Sequence, residues 1–370
     1  VTDYLPYAAH EITQTDIDAV VEVLKGDRLT QGPKVAEFEQ ALCEVTGANH
    51  AVAVNSGTAA LHLALLAAGV GPGDQVIVPA LTFAATANAV LYCGATPVMA
   101  DVGEDLTIDL DCVDTLMNDD VRVVMAVDFA GLPAECRTLG AYVTEANLVG
   151  QELYLISDAC HSLGACNTEY PDFTCLSFHP AKHITTAEGG AILTNDEQSA
   201  NGIRALRNHG QAPYVDWERL LIATGYNYRL SDIQAALGLS QLARLDRYLD
   251  ARRELWTMYD LCLAGVDGLQ LPPWPEDRLH ACHIYPVQLP KSADRQAVYH
   301  YMHKHGIGVQ VHYKPLHQMS LYHKYVRPGQ TFPNADAYYE RALTLPLFPA
   351  MTANDVDRVV ETLKDALGVN

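Results

Sequence analysis

Short apolar runs alternating with helix-patterned stretches constrain this chain more than any other feature of its sequence. Val76-Ile77-Val78, Val121 to Val127 and Leu153 to Ile156 are apolar almost throughout and have the length of buried strands. Strands that are apolar on both faces need cover on both faces, and the stretches between them supply it. Ile17, Val20, Val21 and Leu24 follow helical spacing after Thr15, with Gly26 as a stop. Ala59 to Ala68 reads as a helix ending at Gly69, and the Gly71-Pro72-Gly73 turn leads into the first of the three runs. Ala84 to Leu91 and Leu139 to Asn147 are further helices. The pattern predicts an α/β fold, a mostly parallel sheet covered by helices on both faces, with ligands beyond the carboxyl ends of its strands.

The pattern changes in the last third of the chain. Ser231 and Gln234 have the spacing of a capping box and open an amphipathic stretch through Leu237, Leu242, Leu245 and Leu249, read as one long linking helix. Beyond it, Ile284-Tyr285-Pro286-Val287, a helix from Arg295 to His305, Val309-Gln310-Val311 and two terminal helices predict a smaller α+β unit. The 370 residues fit two domains, a large one over residues 1–250 and a small C-terminal one over residues 251–370.

Charge narrows the partners. Lysine and arginine number 24 against 45 aspartates and glutamates, and the net charge of −21 argues against nucleic acid or an anionic membrane. An anionic small molecule stays open, because screening over about 8 Å lets a few local cations decide what a pocket accepts. No run approaches the roughly 20 apolar residues that span a bilayer, and Val1-Thr2-Asp3-Tyr4 lacks a basic segment followed by an apolar one. A cytoplasmic protein is expected. The nine scattered cysteines fit reduced thiols better than a disulfide framework or a zinc site.

Three features carry chemistry. Asn55-Ser56-Gly57-Thr58 joins a short strand, Ala51 to Val54, to a helix, which offers free N–H groups and a hydroxyl to a phosphate; it also reads as an ordinary N-cap. Asp158 follows the apolar Leu153 to Ile156, at the ligand-bearing end of the sheet, where a solvated loop carboxylate is the alternative. Lys182 stands in His179-Pro180-Ala181-Lys182-His183 after Leu176-Ser177-Phe178 and before Glu188-Gly189-Gly190, a place where surface lysines are also common. Together they fit pyridoxal 5′-phosphate, which needs a phosphate seat, a carboxylate for its ring nitrogen and an amine for a Schiff base. Deprotonating a lysine of ordinary pKa at pH 7 costs about 4.6 kcal/mol, so such an amine needs help from its surroundings.

At these residues the chain resembles the fold-type I pyridoxal-phosphate aminotransferases of the DegT/StrS sugar family, over nearly its whole length. The matching segments are Leu29-Thr30-Gln31-Gly32-Pro33, Asn55 to Leu61, Asp158-Ala159-Cys160-His161, Ser177 to Lys182, Glu188-Gly189-Gly190, Arg207-Asn208-His209-Gly210 and Gly225-Tyr226-Asn227-Tyr228-Arg229. Within the family, the stretch from Ser177 to Thr185 is similar to that of enzymes that transaminate UDP-4-keto-6-deoxy-N-acetylhexosamines. The pattern resembles in particular that of the UDP-4-amino-4,6-dideoxy-N-acetyl-β-L-altrosamine transaminases of pseudaminic acid synthesis.

The resemblance implies roles. Lys182 forms the Schiff base and shuttles the proton, and Asp158 pairs with the ring nitrogen. His161 sits near the ring, Phe83 stacks on it, and Gly57, Thr58 and Ser177 bind the phosphate, joined by Asn227 from a second subunit of a homodimer. The sugar nucleotide falls to Tyr7, Asp27, Arg28, Leu29, Thr30, His312, Tyr313, Lys314 and Pro315, with Arg28, Arg229 and Lys314 as cations for a diphosphate. L-glutamate is the implied amino donor. A dTDP-linked keto sugar, a sugar 3-dehydratase and a pyridoxal-binding regulatory protein are the alternatives, although dehydratases of this fold carry histidine where Lys182 stands. In one departure, residues 165–173 are shorter than the glycine-containing hairpin usual in the family. The histidines predict no metal site: His303 and His305 point apart on a helix, and His312 and His317 lack a companion at ligand spacing.

Overall fold

A computed structural model of the chain describes residues 4–211 and 220–369. Val1, Thr2 and Asp3, read above for a targeting segment, lie outside the described residues. Seven strands, β1 (His50–Val54), β2 (Gln75–Pro79), β3 (Thr96–Ala100), β4 (Val121–Val127), β5 (Tyr154–Asp158), β6 (Phe173–Ser177) and β7 (Gly190–Thr194), form one sheet in the order β1-β7-β6-β5-β4-β2-β3. Only β7 opposes its neighbours; every other pairing in this sheet is parallel.

Period-two alternation explains why the sheet is covered twice. Val76, Val78, Val123 and Met125 face a layer built on α3 (Gly57–Ala67) and α4 (Ala84–Tyr92), preceded in the chain by α1 (Gln14–Lys25) and α2 (Pro33–Thr46). Ile77, Val124, Ala126 and Leu155 face the opposite layer, built on α5 (Leu110–Leu116) and α6 (Cys136–Leu148). Each fully buried side chain of this size contributes roughly 1.5–3 kcal/mol, so a run apolar at successive positions is stable only between two layers. After α7 (Glu197–Arg207), the helices α8 (Asp232–Leu242) and α9 (Leu245–Leu263) pack with Phe38 and Leu42 of α2 over the β1, β6 and β7 end of the sheet.

The predicted long helix is two helices. The Ser231 and Gln234 capping box opens α8 as expected, but the helical path breaks at Ala243 and Arg244. There the Arg244 guanidinium donates to both carboxylate oxygens of Asp16 on α1, at 2.7 and 2.8 Å, an attraction that sequence spacing does not display. The expected division at residue 250 falls inside α9. Leu245, Tyr248 and Leu249 of that helix pack toward the large sheet, and Leu255, Trp256, Tyr259 and Leu263 toward a second, two-stranded sheet.

That second sheet pairs β8 (Tyr285–Gln288) antiparallel with β9 (Ala342–Leu345) and is flanked by α10 (Arg295–Lys304), α11 (Pro333–Arg341) and α12 (Ala353–Leu367). Val309-Gln310-Val311 is not a strand of it; Gln310 makes a single bridge to Thr344. Leu5 bridges to Ile307, so the N-terminal segment packs beside the small sheet. No described helix is long and apolar enough to cross a membrane. All nine cysteines are free.

Candidate active site

The antiparallel β7 brings three chain segments level at one edge of the sheet. Gly190 at its start is in register with Val54 at the end of β1 and with Ser177 at the end of β6. The first turn of α3 therefore lies beside Ser177. A Cβ on Gly57 would stand 2.8 Å from the Ser177 Cβ, and one on Gly190 would stand 2.5 Å from the Ser56 carbonyl oxygen, so both close approaches require glycine. Ser56 caps α3, its Oγ accepting from the Ala59 N–H at 3.1 Å, and leaves the Gly57 and Thr58 N–H groups at the positive end of an 11-residue helix. The N-cap reading is borne out, and the Gly57 and Thr58 N–H groups leave the same turn able to receive an anion.

Asp158 ends β5, in register with Val127 of β4. Its side chain is 6% exposed and accepts a 2.8 Å hydrogen bond from Thr86 Oγ1, which shares a 2.7 Å hydrogen bond with Thr82. Lys182 lies in the loop between β6 and β7, where its N–H donates to the His179 carbonyl at 2.8 Å. Burial pushes the Lys182 amine below its ordinary pKa of 10.5, against the opposing pull of Cys160 and Asp158. His161 is buried and held neutral, chiefly by burial and then by the charge of Lys182. Its Nε2 lies 3.2 Å from the Tyr313 hydroxyl, and its Nδ1 has no partner among the described residues.

These groups line one cavity of about 290 Å³ at the carboxyl edge of the sheet. Of the residues predicted from sequence, Tyr7, Gly57, Thr58, Phe83, Asp158, His161, Ser177, Lys182, His312 and Tyr313 all border it. Phe83 is 59% exposed, with its ring centroid 5.8 Å from that of Tyr313. Burial pushes His312 down to about 4, and its Nδ1 lies 2.9 Å from Thr344 Oγ1.

The remaining predicted residues are not brought to this cavity within one chain. Asp27, Arg28, Leu29 and Thr30 are exposed on a segment that pairs with Ser231 and Asp232 at the start of α8. Asn227 is exposed, its carbonyl accepting from Asn55 Nδ2 at 3.4 Å, and Arg229 donates to Asn208 Oδ1 at 2.8 Å in a separate groove. Lys314 points to solvent and Pro315 is buried outside the cavity lining. No residue of 165–173 borders the cavity; Thr168 and Tyr170 are tied instead to Thr46 and Arg137. His317 does have an acidic partner, Asp336, at 2.8 Å, but the described residues contain no cluster of three metal-ligating side chains.

Sequence reasoning missed Thr86 and His283, whereas Ser56 lies in the segment it read as an N-cap. Thr86 stands in a helix legible only by its alanines, and His283 reaches the cavity through tertiary packing. The anion seat, the buried carboxylate, the desolvated amine and the unpartnered His161 nitrogen fit pyridoxal 5′-phosphate. Gly57, Thr58 and Ser177 suit its phosphate, Asp158 its ring nitrogen and Lys182 its aldehyde.

Comparison with known proteins agrees with this chemistry. The pattern of the DegT/DnrJ/EryC1/StrS aminotransferase family matches residues 10–364. The chain is 37% identical to the spore coat polysaccharide biosynthesis protein SpsC of Bacillus subtilis, over 98% of this chain and 97% of SpsC. Among solved structures, it superposes on Helicobacter pylori PseC, an aminotransferase involved in the biosynthesis of pseudoaminic acid, with a TM-score of 0.92 and 30% identity, covering 99% and 100% of the two chains. The sugar aminotransferase Spr1654 of Streptococcus pneumoniae, in its PLP form, gives a TM-score of 0.90 and 31% identity over 98% of each chain. The chain therefore belongs to the DegT/DnrJ/EryC1/StrS aminotransferase family and is a pyridoxal-phosphate-dependent aminotransferase of fold type I.

Proposed function

We propose that this enzyme moves an amino group from L-glutamate to the C4 ketone of a UDP-4-keto-6-deoxy-N-acetylhexosamine, giving a UDP-4-amino-4,6-dideoxy sugar. The observation that carries the aminotransferase chemistry is the convergence of Lys182, Asp158 and the first turn of α3 on one cavity. The sugar acceptor is supported by the SpsC and PseC likenesses, and the UDP-linked amino sugar by the similarity of the Ser177 to Thr185 stretch to the altrosamine transaminases of pseudaminic acid synthesis.

When bound, pyridoxal phosphate supplies an electron sink for the carbon that exchanges a proton. The chain does the rest. Lys182 Nζ would hold the aldehyde at rest and would carry the proton between the amine-bearing carbon and the cofactor, helped by burial that favours its neutral form. Asp158, aimed by Thr86, would keep the ring nitrogen protonated. Gly57, Thr58 and Ser177 anchor the phosphate, Phe83 and His161 hold the ring, and Asn227 of a second subunit completes the phosphate site in a homodimer. Tyr7, His312 and Tyr313 face the sugar. In this reading Arg28, Arg229 and Lys314, which lie outside the cavity of one chain, meet the diphosphate at the subunit boundary. Asp27, Leu29, Thr30 and Pro315 shape the same rim.

A panel of UDP- and dTDP-linked 4-keto sugars, each offered with L-glutamate, tests the proposal. The expected result is release of 2-oxoglutarate with the UDP-linked N-acetyl sugars and formation of the 4-amino product. Preference for a dTDP-linked ketone would reassign the nucleotide, and an unchanged cofactor spectrum on adding glutamate would favour a regulatory protein.

A further inference from the structure

Three buried imidazoles stand in a row beside Lys182, and the proposed function gives a role only to the first. The ring of His283 lies 4.4 Å from that of His161 and 5.2 Å from that of His183, at tilts of 46° and 44°. His283 and His183 are each 4% exposed, and His283 borders the cavity. Beyond it, His183 Nε2 donates to the Ala281 carbonyl at 2.9 Å, which closes the row on backbone.

The backbone that carries His283 is fixed from two sides. After β4 the chain turns through Ala130 and Gly131, at φ 57° and 104°. Their carbonyls accept from the N–H groups of His283 at 2.9 Å and Ala281 at 2.8 Å. A Cβ on Gly131 would stand 2.8 Å from the backbone nitrogens of both Cys282 and His283, so this approach is open only to glycine. From the other side, Arg252 of α9 is 1% exposed and has no carboxylate partner among the described residues. Its Nη1 donates to the carbonyls of His283 at 2.9 Å and Leu347 at 3.0 Å. A buried cation without a counter-charge is costly to keep, and here its hydrogen bonds go to the backbone behind His283.

We propose that His283 is a positioning residue for transamination: its ring buttresses His161, His161 sets the plane of the cofactor ring between Asp158 and Lys182, and Arg252 with Gly131 holds the buttress in place. This rests on the reading of the cavity as the pyridoxal-phosphate site. Burial, reinforced by the charges of Lys182 and Arg252, keeps His183 and His283 neutral, so the row adds bulk to the wall without adding charge.

Two measurements test it. In protein without added cofactor, imidazole NMR signals assigned to His161 are expected to shift or broaden in His283→Ala and to stay in place in His283→Phe, which keeps a flat ring. In the holoenzyme, the single-turnover rate with glutamate is expected to fall roughly tenfold or more in His283→Ala, because misplacement by an ångström is enough for losses of that order. His283→Phe should stay within a fewfold of the unsubstituted enzyme, and the His161→Ala/His283→Ala double variant should be no slower than His161→Ala alone. Unmoved His161 signals in His283→Ala, losses that multiply in the double variant, or a His283→Phe enzyme as slow as His283→Ala would each overturn the proposal. If His283→Ala does not fold, His283→Asn replaces it, and an Asn variant faster than the Phe variant overturns the proposal. Failure of the cofactor reading is a distinct result, in which the unsubstituted protein takes up no cofactor, while the NMR comparison still decides whether His283 buttresses His161.

Discussion

An amine must be neutral to attack an aldehyde, and Lys182 is placed where burial lowers its affinity for a proton. The rate at which cofactor-free enzyme takes up pyridoxal phosphate should therefore rise with pH, with a midpoint below the ordinary lysine value of 10.5. Stopped-flow absorbance across pH checks this, and a midpoint at the ordinary value would show that the amine is solvated. Lys182→Ala should abolish covalent attachment and turnover. Asp158→Asn should still bind the cofactor but slow proton removal by a factor on the order of a hundred or more, because the ring nitrogen is no longer held as a cation; normal single-turnover rates would assign that task elsewhere. Lys182 and Asp158 were legible as candidates because Asp158 closes one apolar strand and Lys182 stands in the loop after another, so the topology puts both at the carboxyl edge of the sheet. Thr86 was not, since its bond to Asp158 joins residues 72 apart on different elements.

At the scale of elements, the first turn of α3 is built for an anion only while Gly57 lacks a side chain. Gly57→Ala is expected to push Ser177 aside and weaken cofactor binding roughly tenfold, about 1.4 kcal/mol, measurable by equilibrium titration. Helix α1 carries a separate prediction. Burial alone would raise the Asp16 carboxyl, but hydrogen bonds from Arg244, Ser240 and Thr13 hold it at about 2, below its model-peptide value of 3.8. The stabilisation is thus fully present above pH 3.8 and is lost as pH falls through about 2. Asp16→Ala should cost about 1–3 kcal/mol at neutral pH and clearly less near pH 2, as judged by urea unfolding at both. The same contact explains a limit of the sequence reading: the hydrophobic spacing from Leu237 to Leu249 runs on without interruption, while the pull of Asp16 on Arg244 divides α8 from α9. Strand β3 escaped notice because Pro97, a poor strand former, stands second in it and leaves only a short apolar run, and β9 because it continues directly from α11.

For the whole molecule, the proposed assembly matters because Lys182 is the only lysine or arginine among the described residues that borders the cavity of a single chain. A diphosphate would need more positive charge than that, and in the proposed homodimer the second subunit would supply it along with Asn227. Mixing inactive Lys182→Ala and Asn227→Ala proteins should then restore about a quarter of normal activity, because each mixed dimer of this symmetry contains one intact site. No recovery after subunit exchange would show that each chain works alone. The α/β architecture was readable because a doubly covered sheet writes its strands as uniformly apolar runs. A site shared between chains, as proposed, would leave no such periodic trace. The most direct test of the account is borohydride reduction of the yellow holoenzyme followed by peptide mass analysis. The account predicts a reduced pyridoxyl label on Lys182 and no other lysine; a label elsewhere, or none, would contradict it.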